Sequence, residues 1–121
     1  MPIKKILIVD DSPTERFFFQ DLLTKKGFIV TSAENGEDGV AKAAKELPDL
    51  ILMDVVMPGL NGFQATRQIS KAPETAHIPI FMCTTKDQET DKVWGQRQGA
   101  KDYLVKPVNG DELFAKIAAL G

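Results

Sequence analysis

The chain has 121 residues, of which 43% are hydrophobic and 26% charged, as is typical of one folded domain with a single core. The 15 basic and 17 acidic residues give a net charge of −2, which argues against a nucleic acid or an anionic membrane as partner. No apolar run approaches the ~20 residues of a transmembrane helix and no signal peptide is apparent, so we expect a cytoplasmic protein.

Strand and helix signals alternate along the chain. Strands are predicted at residues 6–9, 28–33, 50–53, 78–83 and 102–105, and three of these are continuous apolar runs of the kind buried on both faces. Helices are predicted from Pro13 to Gly27 and at residues 35–47, 63–70, 87–98 and 111–120. Five strands alternating with five helices indicate an α/β fold with a doubly wound parallel sheet.

The first predicted helix has strong local signals. Ser12 is suited to be its N-cap, with Pro13 at the first helical position, and Glu15 is expected to complete a capping box. Gly27 is placed to end the helix. The apolar stripe expected to face the core consists of Phe18, Phe19, Leu22 and Leu23.

The fourth predicted helix is unusual because it is polar nearly all round. It contains Gly95 and offers only Val93 and Trp94 for burial. We therefore expect it to be loosely held and to act as a mobile partner surface. No exposed apolar helix face is evident in the sequence, so a monomer is the default expectation. The lone Cys83 lies in an apolar run and is expected to be a buried, inert thiol.

Five chemically active residues directly follow predicted strands, and a parallel sheet brings such positions to one edge. They are Asp10, Asp11, Asp54, Thr84 and Lys106. Three converging carboxylates repel one another, and a hard divalent cation such as Mg²⁺ or Mn²⁺ is the natural compensation. A hydroxyl and an ammonium beside that cation suit phosphoryl oxygens, so the set predicts phosphoryl transfer with Asp54 as the nucleophile.

Each of these residues also has an ordinary structural interpretation. Asp10 and Asp11 could cap the first helix and favour its positive end, and Thr84 could cap another helix. Lys106 alone is typical of a solvated surface charge. Their joint occurrence at the ends of four strands favours a functional site, because capping does not require it.

With these motifs the chain resembles the receiver domains of two-component response regulators, of the chemotaxis type. The motifs are Ile6-Leu7-Ile8-Val9-Asp10-Asp11-Ser12, Leu52-Met53-Asp54, Met57-Pro58-Gly59-Leu60-Asn61-Gly62, Thr84 and Lys106-Pro107. The resemblance covers essentially the whole chain. It implies a flavodoxin-like, five-stranded parallel sheet of order 2-1-3-4-5 with five helices, in a single receiver domain over residues 1–121 without an output domain.

The same resemblance implies the roles of the site residues. Asp54 takes a phosphoryl group from a histidine kinase or a histidine phosphotransfer protein, and Lys106 pairs with the phosphoryl oxygens. Mg²⁺ is held by Asp10, Asp11, the Asp54 carboxylate and the Val56 carbonyl. The Lys106-Pro107 peptide bond is expected to be cis.

A switch is also implied by the resemblance. The phosphoryl charge draws the Thr84 hydroxyl inward and Tyr103 turns into the space vacated, which changes the face formed by the fourth helix, fifth strand and fifth helix. A downstream motility or signalling protein is expected at that face. The alternative for Tyr103 is a half-buried sheet aromatic with a wet hydroxyl, which predicts similar burial without phosphate-dependent motion.

Two positions depart from the best-known chemotaxis pattern, and both flank the site. Val56 cannot orient a hydrolytic water with its side chain, and Lys86 is cationic where that pattern is acidic. We expect Val56 to lengthen the lifetime of the phosphoryl group and Lys86 to assist donor binding.

Residues 58–68 and 84–95 are most similar to the single-domain regulators of type IV pilus twitching motility. The leading expectation is therefore a phosphoacceptor regulator that acts as a stand-alone switch or phosphate sink, not an enzyme with external substrates. A receiver fold kept only as an interaction module is one alternative. An aspartate-nucleophile phosphatase is another, although it typically needs a second Asp where this chain has Val56.

Overall fold

In the computed structural model, which describes residues 2–121, strands and helices alternate strictly along the chain. The strands are β1 (Lys5–Val9), β2 (Ile29–Ala33), β3 (Leu50–Met53), β4 (Ile80–Thr84) and β5 (Asp102–Val105). The helices are α1 (Pro13–Lys25), α2 (Gly36–Glu46), α3 (Gly62–Lys71), α4 (Glu89–Gln98) and α5 (Gly110–Ala119). The predicted element order is confirmed, and no boundary is displaced by more than two residues.

The five strands form one parallel sheet in the order β2-β1-β3-β4-β5. This is the flavodoxin-like order that the resemblance implied. The order reverses at β1, which lies between β2 and β3, and in doubly wound sheets the crevice at such a reversal is the usual place for a ligand.

Helices cover both faces of the sheet, and alternate residues along each strand face opposite layers. On one face Ile6 and Ile8 pack in a core with Phe19 and Leu23 of α1 and with residues of α5. On the other face, Leu7 packs in a second core with residues of α2 and α3. This two-sided burial explains the continuous apolar runs in β1, β3 and β4.

The caps of α1 agree only in part with the sequence prediction. Ser12 is the N-cap and accepts a hydrogen bond from the Glu15 N–H, and Gly27 has the left-handed φ of 94° that follows a helix end. The prediction that Glu15 completes a capping box is wrong, because its carboxylate forms an ion pair with Lys106. The Ser12 N–H instead donates to the Asp10 carboxylate at 3.0 Å.

The buried stripe of α1 is narrower than predicted. Phe19 and Leu23 are buried, Leu22 is half-buried, but Phe18 is 41% exposed and its neighbour Phe17 is 71% exposed. The expectation that no helix exposes an apolar face is therefore wrong. The reason is geometric: three successive apolar side chains, Phe17 to Phe19, span more of the helix circumference than the sheet covers.

The inner face of α4 also differs from the prediction. Val93 and Trp94 are 45% and 48% exposed, whereas Gly95 and Gln98 are buried. A Cβ atom added at Gly95 would lie 2.8 Å from the Met82 sulfur, so the glycine allows α4 to approach the sheet closely. The apolar side chains of α4 thus remain available on its outer surface.

Candidate functional site

The site lies at the carboxyl edge of the sheet, where backbone hydrogen bonds continue past the strand ends. The Asp54 N–H donates to the Val9 carbonyl at 2.9 Å, and the Lys106 N–H donates to the Thr84 carbonyl at 2.8 Å. These bonds fix Asp54 beside the end of β1 and Lys106 beside the end of β4. Side chains distant in sequence are therefore held on a rigid support.

Three carboxylates converge at this edge. Oxygens of Asp10, Asp11 and Asp54 all lie within 4.8 Å of one another. Asp10 and Asp54 are only 2% and 8% exposed, whereas Asp11 is exposed. An all-oxygen, anionic set of this kind fits a hard divalent cation such as Mg²⁺, which is commonly held by a few carboxylates while keeping several waters.

Lys106 balances part of this negative charge. Its ammonium lies 2.7 Å from Asp10, 3.1 Å from Glu15 and 3.9 Å from Asp54. Burial acts to lower the pKa of Lys106, but the hydrogen bond to Asp10 and the charge of Asp54 outweigh it and raise the pKa. The lysine is therefore a permanent cation in the site.

Asp54 is less acidic than an ordinary aspartate. Burial, followed by repulsion from Asp10, raises its pKa from 3.8 to about 6, although Lys106 and a hydrogen bond from the Val55 N–H act in the opposite direction. That hydrogen bond is 2.8 Å long and fixes one carboxylate oxygen. At neutral pH the group is mainly ionised and is costly to bury, so binding of a cation beside it is favoured.

The loop after β3 is tightly folded against the site. A Cβ atom added at Gly62 would overlap the Asp54 carbonyl and approach the Val55 backbone, so only glycine fits there. Val56 lies in the same loop with 59% of its surface exposed. Across the edge, the Lys106-Pro107 peptide bond is cis, the isomer that the resemblance implied.

Thr84 and Tyr103 are connected through the backbone of Lys86. The Thr84 hydroxyl is fully buried and accepts a hydrogen bond of 3.4 Å from the Lys86 N–H. The half-buried Tyr103 donates its hydroxyl to the Lys86 carbonyl at 2.9 Å. Burial, with repulsion from acidic groups led by Asp91, raises the pKa of Tyr103 to about 12, so the phenol keeps its proton. The Lys86 ammonium lies 3.8 Å from Asp91 of α4.

A family model for the response regulator receiver domain matches residues 6–118. The chain belongs to that family. Over 116 residues this receiver domain is 62% identical to Protein PilH of Pseudomonas aeruginosa, with 96% of each chain covered. It is 39% identical to the response regulator PleD of Caulobacter vibrioides, of which it spans 26%.

Solved structures give the same family. Chemotaxis protein CheY4 of Vibrio cholerae superposes on the receiver domain with a TM-score of 0.91 at 33% identity, covering 98% of this chain and 99% of that chain. A response regulator receiver domain protein from Methanospirillum hungatei superposes with a TM-score of 0.89 at 29% identity, covering 98% and 93%. Membership places the chain among two-component signalling regulators and not among classical enzymes.

The structure brings together the strand-end residues that the sequence singled out, and it adds two groups that sequence reasoning missed. Glu15 contacts Lys106, and the Lys86 backbone joins Thr84 to Tyr103. Glu15 was misassigned because its spacing from Ser12 fits a capping box equally well. Within residues 2–121 no helix is both long and apolar enough to cross a membrane.

Proposed function

We propose that this receiver domain is a Mg²⁺-dependent phosphoacceptor whose acceptor is Asp54. The observation that carries the proposal is the arrangement of Asp54 itself: a buried carboxylate within reach of Lys106 and beside the carboxylates of Asp10 and Asp11. An isolated buried carboxylate costs free energy, whereas Asp54 lies near a cation and beside carboxylate oxygens of the kind that bind divalent metals. Such a site favours gaining a phosphoryl group whose charge the cations compensate.

In the proposed reaction, an Asp54 carboxylate oxygen attacks the phosphorus of a phosphohistidine. The new O–P bond forms as the P–N bond breaks, and its electron pair returns to the imidazole nitrogen of a histidine kinase or histidine phosphotransfer protein. Since the pKa of Asp54 is about 6, the attacking carboxylate is mainly ionised at pH 7. The Val55 N–H holds one oxygen, which limits rotation of the carboxylate before attack.

Asp10, Asp11, Asp54 and the Val56 carbonyl are the proposed ligands of Mg²⁺, with Mn²⁺ as a substitute. When bound, the cation supplies positive charge to the transferring phosphoryl oxygens. The Lys106 ammonium, which contacts Asp10 and Glu15 at rest, supplies a second positive charge. After transfer, the ammonium leaves the resting contacts with Asp10 and Glu15 and pairs with the phosphoryl group.

Phosphorylation is proposed to act on partners through Thr84 and Tyr103. Both hydroxyls are bonded to the backbone of Lys86, so movement of Thr84 toward a phosphoryl group disturbs the carbonyl that holds Tyr103. The adjacent outer surface of α4 exposes Val93 and Trp94, which suits a protein partner at the α4, β5 and α5 face. Tyr103→Phe would remove the hydrogen bond to the Lys86 carbonyl and keep the aromatic ring, so it is the matched variant for testing this step.

The pathway is proposed from sequence similarity. The 62% identity to PilH and the resemblance to regulators of type IV pilus twitching motility support a role in pilus or chemosensory motility control. The same similarity to PilH supports a role as a phospho-switch or phosphate sink. We also propose a cytoplasmic protein, because a histidine kinase or histidine phosphotransfer protein would supply its phosphoryl group inside the cell. A monomer stays the default proposal, although Phe17 and Phe18 are exposed on α1.

Acetyl phosphate with Mg²⁺ provides the test, followed by intact-mass analysis of the parent chain and of Asp54→Asn. We expect one added phosphoryl group on the parent, and none on the variant or on the parent in EDTA. An adduct of equal yield on the variant would refute Asp54 as the acceptor. No adduct on the parent, together with no binding of BeF₃⁻, would favour the interaction module instead.

A further inference from the structure

Glu15 is a polar residue at the site to which neither the fold nor the proposed phosphotransfer assigns a role. It lies in the first turn of α1, where an acidic side chain is favoured by the helix dipole alone. Its carboxylate nevertheless reaches across to the residue that follows β5 and lies 3.1 Å from the Lys106 ammonium. The side chain is 34% exposed, so this position is not imposed by burial.

Glu15 could bond within its own helix instead, but it does not do so. Three residues after the N-cap, a glutamate can accept a hydrogen bond from the N-cap N–H and close a capping box. Here the Ser12 N–H donates to Asp10 instead, and Ser12 still caps the Glu15 N–H. The carboxylate of Glu15 is thereby left for Lys106.

The contacts of Lys106 show what this ion pair does at rest. The ammonium is closest to Asp10 and Glu15, and it is 3.9 Å from the carboxylate of Asp54. A phosphoryl group on Asp54 would have to draw the ammonium away from both closer partners. Asp10 is itself a proposed metal ligand, so its hold on Lys106 weakens when the cation binds, whereas Glu15 stands outside the three-carboxylate cluster.

We infer that Glu15 is a positioning residue that holds Lys106 in a resting place and competes with the phosphoryl group for it. This inference rests on the proposed function, because it concerns the lysine of the same site. An interaction made in the resting state and lost in the phosphorylated state opposes phosphorylation by its own free energy. Glu15 thus tunes how readily the receiver domain is switched on.

The test compares Glu15→Gln and Glu15→Asp with the parent. Glutamine removes the charge, and aspartate keeps the charge but is one methylene too short to keep the contact. Both variants should bind BeF₃⁻ in the presence of Mg²⁺ about two- to fivefold more tightly, the range expected for a partly exposed ion pair. Titration followed by ¹⁹F NMR of the bound fluoride measures this, and phosphorylation by acetyl phosphate should be faster by a similar factor.

A matched control is Glu37→Gln. The Glu37 carboxylate lies against Gly59 and Leu60 at the same edge of the sheet, so this change removes an equal charge nearby. It should alter BeF₃⁻ affinity less than Glu15→Gln does. An equal gain in Glu37→Gln, or parental affinity in Glu15→Asp, would show that only the general charge matters and would overturn the inference.

A metal-free measurement separates a resting contact from an effect on the cation. In EDTA, the ¹⁵N-labelled Lys106 ammonium should give an NMR signal in the parent because its hydrogen bonds slow exchange with water. That signal should broaden or disappear in both Glu15 variants and persist in Glu37→Gln. If the parent acquires no phosphoryl group, the proposed function fails; if the parent is phosphorylated and the Glu15 variants match it, only this inference fails.

Discussion

Replacing Asp54 by asparagine should stabilise the metal-free protein at neutral pH, even though it removes the proposed phosphoacceptor. The carboxylate is buried beside Asp10, and its pKa rises from 3.8 to about 6. At 1.36 kcal/mol for each pH unit, this corresponds to a ceiling of about 3 kcal/mol of destabilisation by the ionised group. Allowing for water that reaches the site, we expect a gain of about 1 to 2 kcal/mol in the free energy of unfolding.

The gain should depend on pH in a definite direction. Because the folded pKa lies above the unfolded one, the folded state holds the proton more readily, and the cost of the charge is fully present above about pH 6. The cost declines as the pH falls through 6 and disappears below 3.8. The advantage of Asp54→Asn should therefore be largest in neutral solution and vanish in acid.

Urea unfolding in EDTA at several pH values measures the effect, and thermal unfolding should show an increase of about 4 to 8 °C at neutral pH. Asp21→Asn is the control, because Asp21 is exposed and pairs with Lys25 on the helix surface. That change should alter stability by no more than about 0.5 kcal/mol. A variant at position 54 that is no more stable than the parent at neutral pH would refute the burial argument.

Two further predictions concern the mobility of α4 and the lifetime of the phosphoryl group. The amides of α4 should exchange with an opening free energy at least about 2 kcal/mol below that of the β3 amides, because only Gly95 and Gln98 are buried along this helix. Equal protection of α4 and β3 in hydrogen exchange would count against a mobile partner surface. Val56→Asn should shorten the lifetime of the acyl phosphate several-fold, because an amide at this exposed position can orient a water. Unchanged decay of the phosphorylated protein would contradict the role of Val56 in this lifetime.

Much of the fold could be predicted because its signals are local. The apolar runs of β1, β3 and β4 are buried on both faces, and a run of this kind followed by a polar residue marks a strand end without any knowledge of its neighbours. The Ser12 cap is equally local, since its hydroxyl accepts a hydrogen bond from an N–H three residues away. The strand order was available only through family resemblance.

For the site, the sequence was enough to identify the chemically active residues at the strand ends. Asp10, Asp54 and Lys106 could be selected because each directly follows a strand, and parallel strands present their carboxyl ends at one edge. The family resemblance then supplied their expected roles.

The sharing of charge within the site depends on how the layers pack. Glu15 has two possible partners, and the choice between the Ser12 N–H and Lys106 depends on where β5 ends relative to α1. Likewise, the raised pKa of Asp54 follows from the depth of the site and not from its neighbours in sequence. Spacing along a chain specifies which groups can meet, but burial and through-space charge arise only when the layers pack together.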